Sequence, residues 1–186
     1  MDAAARSRAY AACSLLAASP HEQDPRPASP LLADAELATL RREYSALFEV
    51  GDAGPPLPLR ASAREGGRAS VREEVVRFYE HFHYTLDERH AWQPDHLSVQ
   101  LEFMQLLCAR EAQALASDDG AEAAAPWQRA QADFVQRHLA PWLPELAAGV
   151  ARISPGSAYA EVFAALSDFV LEDAARLQAP GFGRCL

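Results

Sequence analysis

Apolar residues recur along this chain with the pitch of an α-helix and almost never with the alternation of a strand. Residues 34–49 place Leu37, Leu40, Tyr44, Leu47 and Phe48 at offsets 0, 3, 7, 10 and 11, which is one helical face. Val71, Val75, Phe78, Tyr79 and Phe82 repeat at offsets 0, 4, 7, 8 and 11. A third stripe, over residues 95 to 115, turns Leu97, Leu101, Met104, Leu107 and Cys108 inward. A helix follows from about residue 125 with Trp127, Phe134 and Leu139, and "APWLPELAAGV" (140–150) restarts at Pro144. The last and longest stripe runs from Tyr159 through Phe163, Leu166 and Val170 to Leu177. Residues 2–18 are alanine-rich, with Tyr10, Leu15 and Leu16. The pattern predicts an all-α fold, six or seven main helices in a single compact domain over residues 1–186.

Breaks separate these stripes. "SPHEQDPRPASP" (19–30), "SDDG" (117–120) and "SPGS" (154–157) read as turns. A long Gly/Pro loop spans 51–69, and its core "GDAGPPLPLRASAREGG" carries four glycines and three prolines, which excludes helix there. Residues 178–186 read as an irregular tail. "SVRE" (70–73) has the form of a capping box, with Ser70 accepting from the first free amides and Glu73 reaching back. Asp95, just after Pro94, is expected to cap the third stripe.

Charge narrows the functional classes. The formal net charge is −9, so a general affinity for nucleic acid or an anionic membrane is not expected, while a basic partner is. All 17 cations are arginine, which removes any lysine nucleophile. Cys13, Cys108 and Cys185 are far apart and form no CxxC, so they describe neither a disulfide framework nor a zinc ribbon, and they suit a reducing cytoplasm. The N-terminus makes a poor signal peptide because Asp2 precedes its short apolar runs. No unbroken apolar run approaches the ~18 residues of a membrane span.

One segment concentrates candidate chemistry. "QPDHLSVQLEFM" (93–104) sets Asp95 and His96 side by side and places Glu102 two turns on. Three readings compete: a cap with a solvated face, a docking wall for an arginine-bearing peptide, and a metal or cofactor site drawing on Asp95, His96, Glu102 and His138. No HExxH, nucleophile elbow, GxGxxG or P-loop is present to favour catalysis. "RREYSALF" (41–48) has two adjacent arginines, yet its glutamate and its apolar spacing fit an amphipathic helix.

"EYSALF" (43–48), "PDHLSVQLEFM" (94–104) and "HLAPWLPEL" (138–146), together with the helix "VVRFYEHFHY" (75–84), resemble in order and spacing the maturation chaperones of complex molybdenum enzymes, the TorD/DmsD/NarJ type. The wording of residues 93–104 and the His83–Tyr84 pair look closest to the delta-type chaperones of the ethylbenzene and dimethylsulfide dehydrogenase and selenate and chlorate reductase group. The resemblance covers roughly residues 37–170. It implies a TorD-like, non-enzymatic, cytoplasmic protein without a cofactor of its own, a monomer or homodimer. Its expected partner is a molybdopterin-containing catalytic subunit, bound through a twin-arginine signal peptide until the cofactor is inserted. The family associates the junction matched here by Pro94, Asp95 and His96 with peptide binding. Tyr79, Phe82, Tyr84 and Trp92 are the aromatic residues expected to line the peptide groove, with Glu102 either a second acid for an arginine or a solvated edge.

Overall fold

The computed structural model describes residues 1–51, 54–64, 69–87 and 91–179. Its helices are α1 (Ala3–Ala17), α2 (Leu37–Tyr44), α3 (Ala61–Arg64), α4 (Ala69–His81), α5 (Leu97–Leu115), α6 (Gly120–Phe134), α7 (Leu143–Ile153) and α8 (Ala158–Gln178). Seven of these are substantial and α3 is a single turn. Helices α2 and α6 each run on into a wider π turn, Ser45–Glu49 and Val135–Leu139, and two short 3₁₀ turns lie at Arg26–Ala28 and Pro30–Leu32.

Helix α5 is the centre of the molecule. Leu97, Val99, Leu101, Phe103, Met104, Leu107 and Cys108 are all buried, so apolar side chains leave it on every side rather than along one stripe. It packs chiefly on α1 and α6, while α7 and α8 form a second pair. Alanines and serines let α1 lie close against α5. Ser14 Oγ donates to the Ser98 carbonyl (2.8 Å) and Ser7 Oγ to the Gln105 carbonyl (3.1 Å). An aromatic cluster of Tyr79, Phe103 and Phe134 fills the space between α4, α5 and α6, with Phe103–Phe134 ring centroids 4.8 Å apart.

Charge is also buried here. Arg6 of α1 donates through Nε (2.6 Å) and Nη2 (2.7 Å) to Asp173 of α8 and through Nη1 (2.9 Å) to Glu111 of α5. Tyr10 and Arg176 also donate to Asp173, the latter through Nε at 3.0 Å, and Gln128 and Gln131 donate to Glu111. For Asp173, burial favours the neutral form but is outweighed by the Arg6 and Tyr10 hydrogen bonds and the Arg6 charge, which hold the carboxyl below its ordinary range.

Several local expectations change. Asp95 does not cap α5. That helix begins one residue later, with His96 as cap residue and its Nδ1 facing the Ser98 amide (3.3 Å). The 51–69 loop is not wholly irregular, because α3 forms inside it. Helix α4 already includes Ala69 and Ser70, so Ser70 lies within the first turn rather than ahead of it, and the residues before it fall outside those described. Helix α6 starts at Gly120 because "AEAAA" is strongly helix-forming without being periodic. At the end of α4, His83 adopts φ 53°, and the amides of His83 and Tyr84 return to the carbonyls of Glu80 and Tyr79 (3.2 and 2.8 Å). This is the Schellman closure usually made by glycine. Residues 180–186 of the expected tail, including Cys185, lie outside the described residues.

Candidate functional site

The long loop is a strap fixed at both edges of a groove. Its Leu57 amide donates to the Leu47 carbonyl at the π turn (3.0 Å), and the Leu57 side chain lies over Gly149 of α7. A Cβ built at Gly149 would sit 2.7 Å from Leu57 Cδ2, so the absence of a side chain there permits this approach. Leu59 and Ala61 then pair with the segment before α5: the Leu97 amide donates to the Leu59 carbonyl (2.8 Å) and the Ala61 amide to the Asp95 carbonyl (3.1 Å). The Asp95 carboxylate, only 1% exposed, accepts from the Ser62 amide (2.9 Å). It therefore caps α3 from across the groove edge, which is why a helical turn forms in the loop at all. Farther along, the Arg64 guanidinium lies 5.6 Å from the Trp142 ring centre.

Between the strap and the body is a cavity of about 460 Å³. Tyr44 and Phe48, one helical step apart across the start of the π turn, supply its aromatic wall, and Pro58 and Leu59 supply the strap side. Trp92, 64% exposed, and His96 stand at the α5 edge. Glu22 and Glu49 bring carboxylates to its lining, which also includes Arg60 of the strap. Glu49 is held in place, since it accepts from Ser45 Oγ (2.6 Å) and Ser19 Oγ (3.2 Å), with His21 Nε2 3.9 Å away. Beneath it, burial and then the Glu49 charge raise the Tyr44 hydroxyl well above its ordinary pKa, so it stays protonated and donates to the Ala17 carbonyl (3.2 Å).

The eight residues expected to form one site are distributed over several places. Trp92 and His96 line this cavity. Pro94 and Asp95 lie buried behind its edge, where they shape it without facing it. Tyr79, also buried, donates from its hydroxyl to the Pro94 carbonyl (2.9 Å) and so supports the junction from within the core. Tyr84 packs on Tyr79 and Phe103 (4.9 and 5.5 Å), and burial and then the charge of the exposed Glu102 raise its hydroxyl above the ordinary range. Neither of that pair lines the cavity. Phe82 lines a separate groove between α4 and α6. His138 is buried against Phe78 and Phe134. Among the described residues no cluster of His, Cys, Asp and Glu is arranged to hold a metal ion, so Asp95, His96, Glu102 and His138 do not converge.

The sequence profile of the nitrate reductase delta subunit family matches residues 10–148. The chain belongs to that family. A selenate reductase assembly chaperone protein of Thauera selenatis is 40% identical over 149 residues, 78% of this chain and 75% of the relative. A chlorate reductase assembly chaperone protein of Ideonella dechloratans is 41% identical over 109 residues, 58% of this chain and 55% of the relative. A dimethyl sulfide dehydrogenase assembly chaperone protein of Rhodovulum sulfidophilum is 37% identical over 139 residues, 70% of this chain and 53% of the relative. The fold is that of a candidate redox enzyme maturation protein from Archaeoglobus fulgidus, with TM-score 0.61 and 19% identity, covering 89% of this chain and 93% of that one.

The matched region contains the aromatic wall of Tyr44 and Phe48 and the 93–98 edge of the cavity. Glu22 and Glu49 were not legible as site residues, since isolated acids in a proline-rich break and at a helix end look like ordinary solvated charge. The one available signal was the position of Glu49 directly after "EYSALF".

Proposed function

We propose that this protein is an assembly chaperone for the catalytic subunit of a molybdenum-cofactor oxidoreductase, and that its cavity holds the arginine-bearing signal segment of that subunit in the cytoplasm until the cofactor is in place. The family membership and the assembly-chaperone relatives support the role. The observation that carries the binding mode is the pairing of an aromatic wall (Tyr44, Phe48, Trp92) with two carboxylates, Glu22 and Glu49, on one opening. Guanidinium groups pair with carboxylates through parallel hydrogen bonds, and the apolar part of a signal segment gains by leaving water against aromatic rings. The net charge of −9 assists the encounter with a basic peptide. Nothing in this role asks the chain to make or break a covalent bond.

The test is titration of a fluorescent twin-arginine peptide. Glu22→Gln with Glu49→Gln should weaken binding about tenfold, with unchanged helical circular dichroism and a loss of salt dependence. Wild-type affinity in the double variant would place the arginine contacts elsewhere.

A further inference from the structure

We propose that His21 regulates the strap cavity through Glu49. As a neutral imidazole it leaves the Glu49 carboxylate to the guanidinium of the signal segment. As a cation it competes for that carboxylate, so peptide binding weakens as pH falls through the imidazole range. This rests on the binding mode proposed above. The residues involved come from two segments: Ser19 and His21 lie in the break after α1, and Ser45 and Glu49 begin and end the π turn after α2. Two further hydrogen bonds clamp the segments together, from the Tyr44 hydroxyl to the Ala17 carbonyl (3.2 Å) and from Arg41 Nε to the Pro20 carbonyl (3.0 Å). The approach of His21 to Glu49 is therefore built into the packing of the break on the π turn.

The hydrogen bonds have one consistent direction. Glu49 accepts from Ser19 Oγ at Oε1 (3.2 Å) and from Ser45 Oγ at Oε2 (2.6 Å). The Ser45 hydroxyl has a single proton, and the carboxylate takes it. His21 Nε2, 2.9 Å from Ser45 Oγ, is then the donor, so the neutral ring carries its proton on Nε2 and gains its second at Nδ1. The resulting cation has Nε2 3.9 Å from Glu49 Oε2, within ion-pair distance. Both side chains stay part-exposed, at 48% and 38%, so protons reach His21 from solvent and a guanidinium can reach Glu49. Positive charge on His21 and on an arriving guanidinium repel at this range, enough to change affinity about threefold to tenfold. Other charges stand around His21: Glu22 follows it in the chain, Arg41 of α2 holds the Pro20 carbonyl, and Asp24 is paired with Arg26 (2.7 Å). Carboxylates and guanidinium groups keep their charge across the imidazole range, so these neighbours offset affinity without creating a pH dependence there. The cavity lining also includes His96 and Arg60, and His96 is the imidazole that a test has to separate from His21.

The experiment titrates the intact protein with a fluorescent twin-arginine peptide free of histidine, at about pH 7.5 and about pH 5.5, with helical circular dichroism followed at both. Wild type should bind about threefold to tenfold more weakly at the lower pH. His21→Gln keeps an uncharged donor toward Ser45 and should bind at both pH values as wild type does at the higher one. His21→Arg carries a permanent cation and should bind weakly at both. Glu49→Gln should also abolish the pH dependence, whereas His96→Gln should keep the ratio of the two affinities. Midway between the two pH values, peptide binding to wild type should release protons, read as a dependence of the calorimetric heat on the ionisation enthalpy of the buffer, and His21→Gln should release none. A purely structural role for His21 would lower affinity equally in the Gln and Arg variants with the pH dependence retained, which would overturn the proposal. Equal wild-type affinity at the two pH values, or a pH dependence lost in His96→Gln and kept in His21→Gln, would also overturn it while leaving the proposed binding mode intact. Absence of peptide binding at either pH would overturn that binding mode and this regulation with it.

Discussion

Replacing Asp95 with alanine separates two roles that sequence position alone confounds: touching the peptide and latching the strap. The structure assigns the latch. The Asp95 carboxylate is buried and accepts from the Ser62 amide at 2.9 Å. A hydrogen bond to a charged acceptor contributes about 1.5–3 kcal/mol, so the alanine variant should lose about 2 kcal/mol. In a chain of this size that lowers the thermal midpoint by roughly 4–8 °C. If the loss is local to the strap, opening there becomes about 30-fold more frequent, and amide exchange at residues 61 and 62 accelerates by the same factor. Asparagine keeps an acceptor without the charge and should cost about half as much. Peptide affinity should follow the strap, reduced in Asp95→Ala and largely kept in Asp95→Asn. The measurement is hydrogen exchange with mass spectrometry on both variants, alongside peptide titration. Unchanged exchange at 61–62 in Asp95→Ala would refute the latch. Equal loss of peptide binding in both variants, with the strap still protected, would show that the carboxylate meets the peptide itself.

Two further outcomes follow from packing. Arg6→Met alone leaves Glu111 buried without a cation and Asp173 to the half-buried Arg176, and should cost about 3 kcal/mol, whereas adding Asp173→Leu and Glu111→Leu should recover most of it, as read by urea unfolding. Because the Asp173 pKa is lowered by folding, its contribution is complete above the ordinary carboxylate range and is lost as pH falls through the folded value. Wild-type stability should therefore drop in acid below about pH 4 more steeply than that of the triple variant. Gly149→Ala would gain about 1 kcal/mol at an open helical position, but here its Cβ meets Leu57, so a net loss of about 1 kcal/mol and a weaker peptide complex are expected. A net gain in thermal stability would mean that the strap does not press on α7.

The helices were legible because their cores are periodic: the stripes over 37–48, 71–82 and 159–177 fall on the observed elements. Where composition carries helix without periodicity, as in "AEAAA" at the start of α6, the boundary was missed. The site was legible only in part. "QPDHLSVQLEFM" marks a real junction, but side-chain direction there depends on partners far along the chain. Asp95 turns to Ser62, which the sequence places 33 residues earlier. Tyr79 and Phe82 share one helical stripe by spacing, yet the neighbours across from them send one into the core and the other to a surface groove. Arg6 reads as one more charge in an alanine-rich segment, because nothing local announces Asp173.

The bond between Arg6 and Asp173 spans 167 residues. A polypeptide emerging from the ribosome exposes α1 well before α8, which carries the carboxylate that completes the burial of Arg6. Helix α5 can collect α1 and α6 early, but the Arg6 guanidinium stays incompletely neutralised until α8 arrives. Contacts between such distant positions slow closure, since the chain entropy is lost before the contact rewards it. The locking of this fold therefore waits for α8. The fold thus has a late and identifiable moment at which it becomes complete.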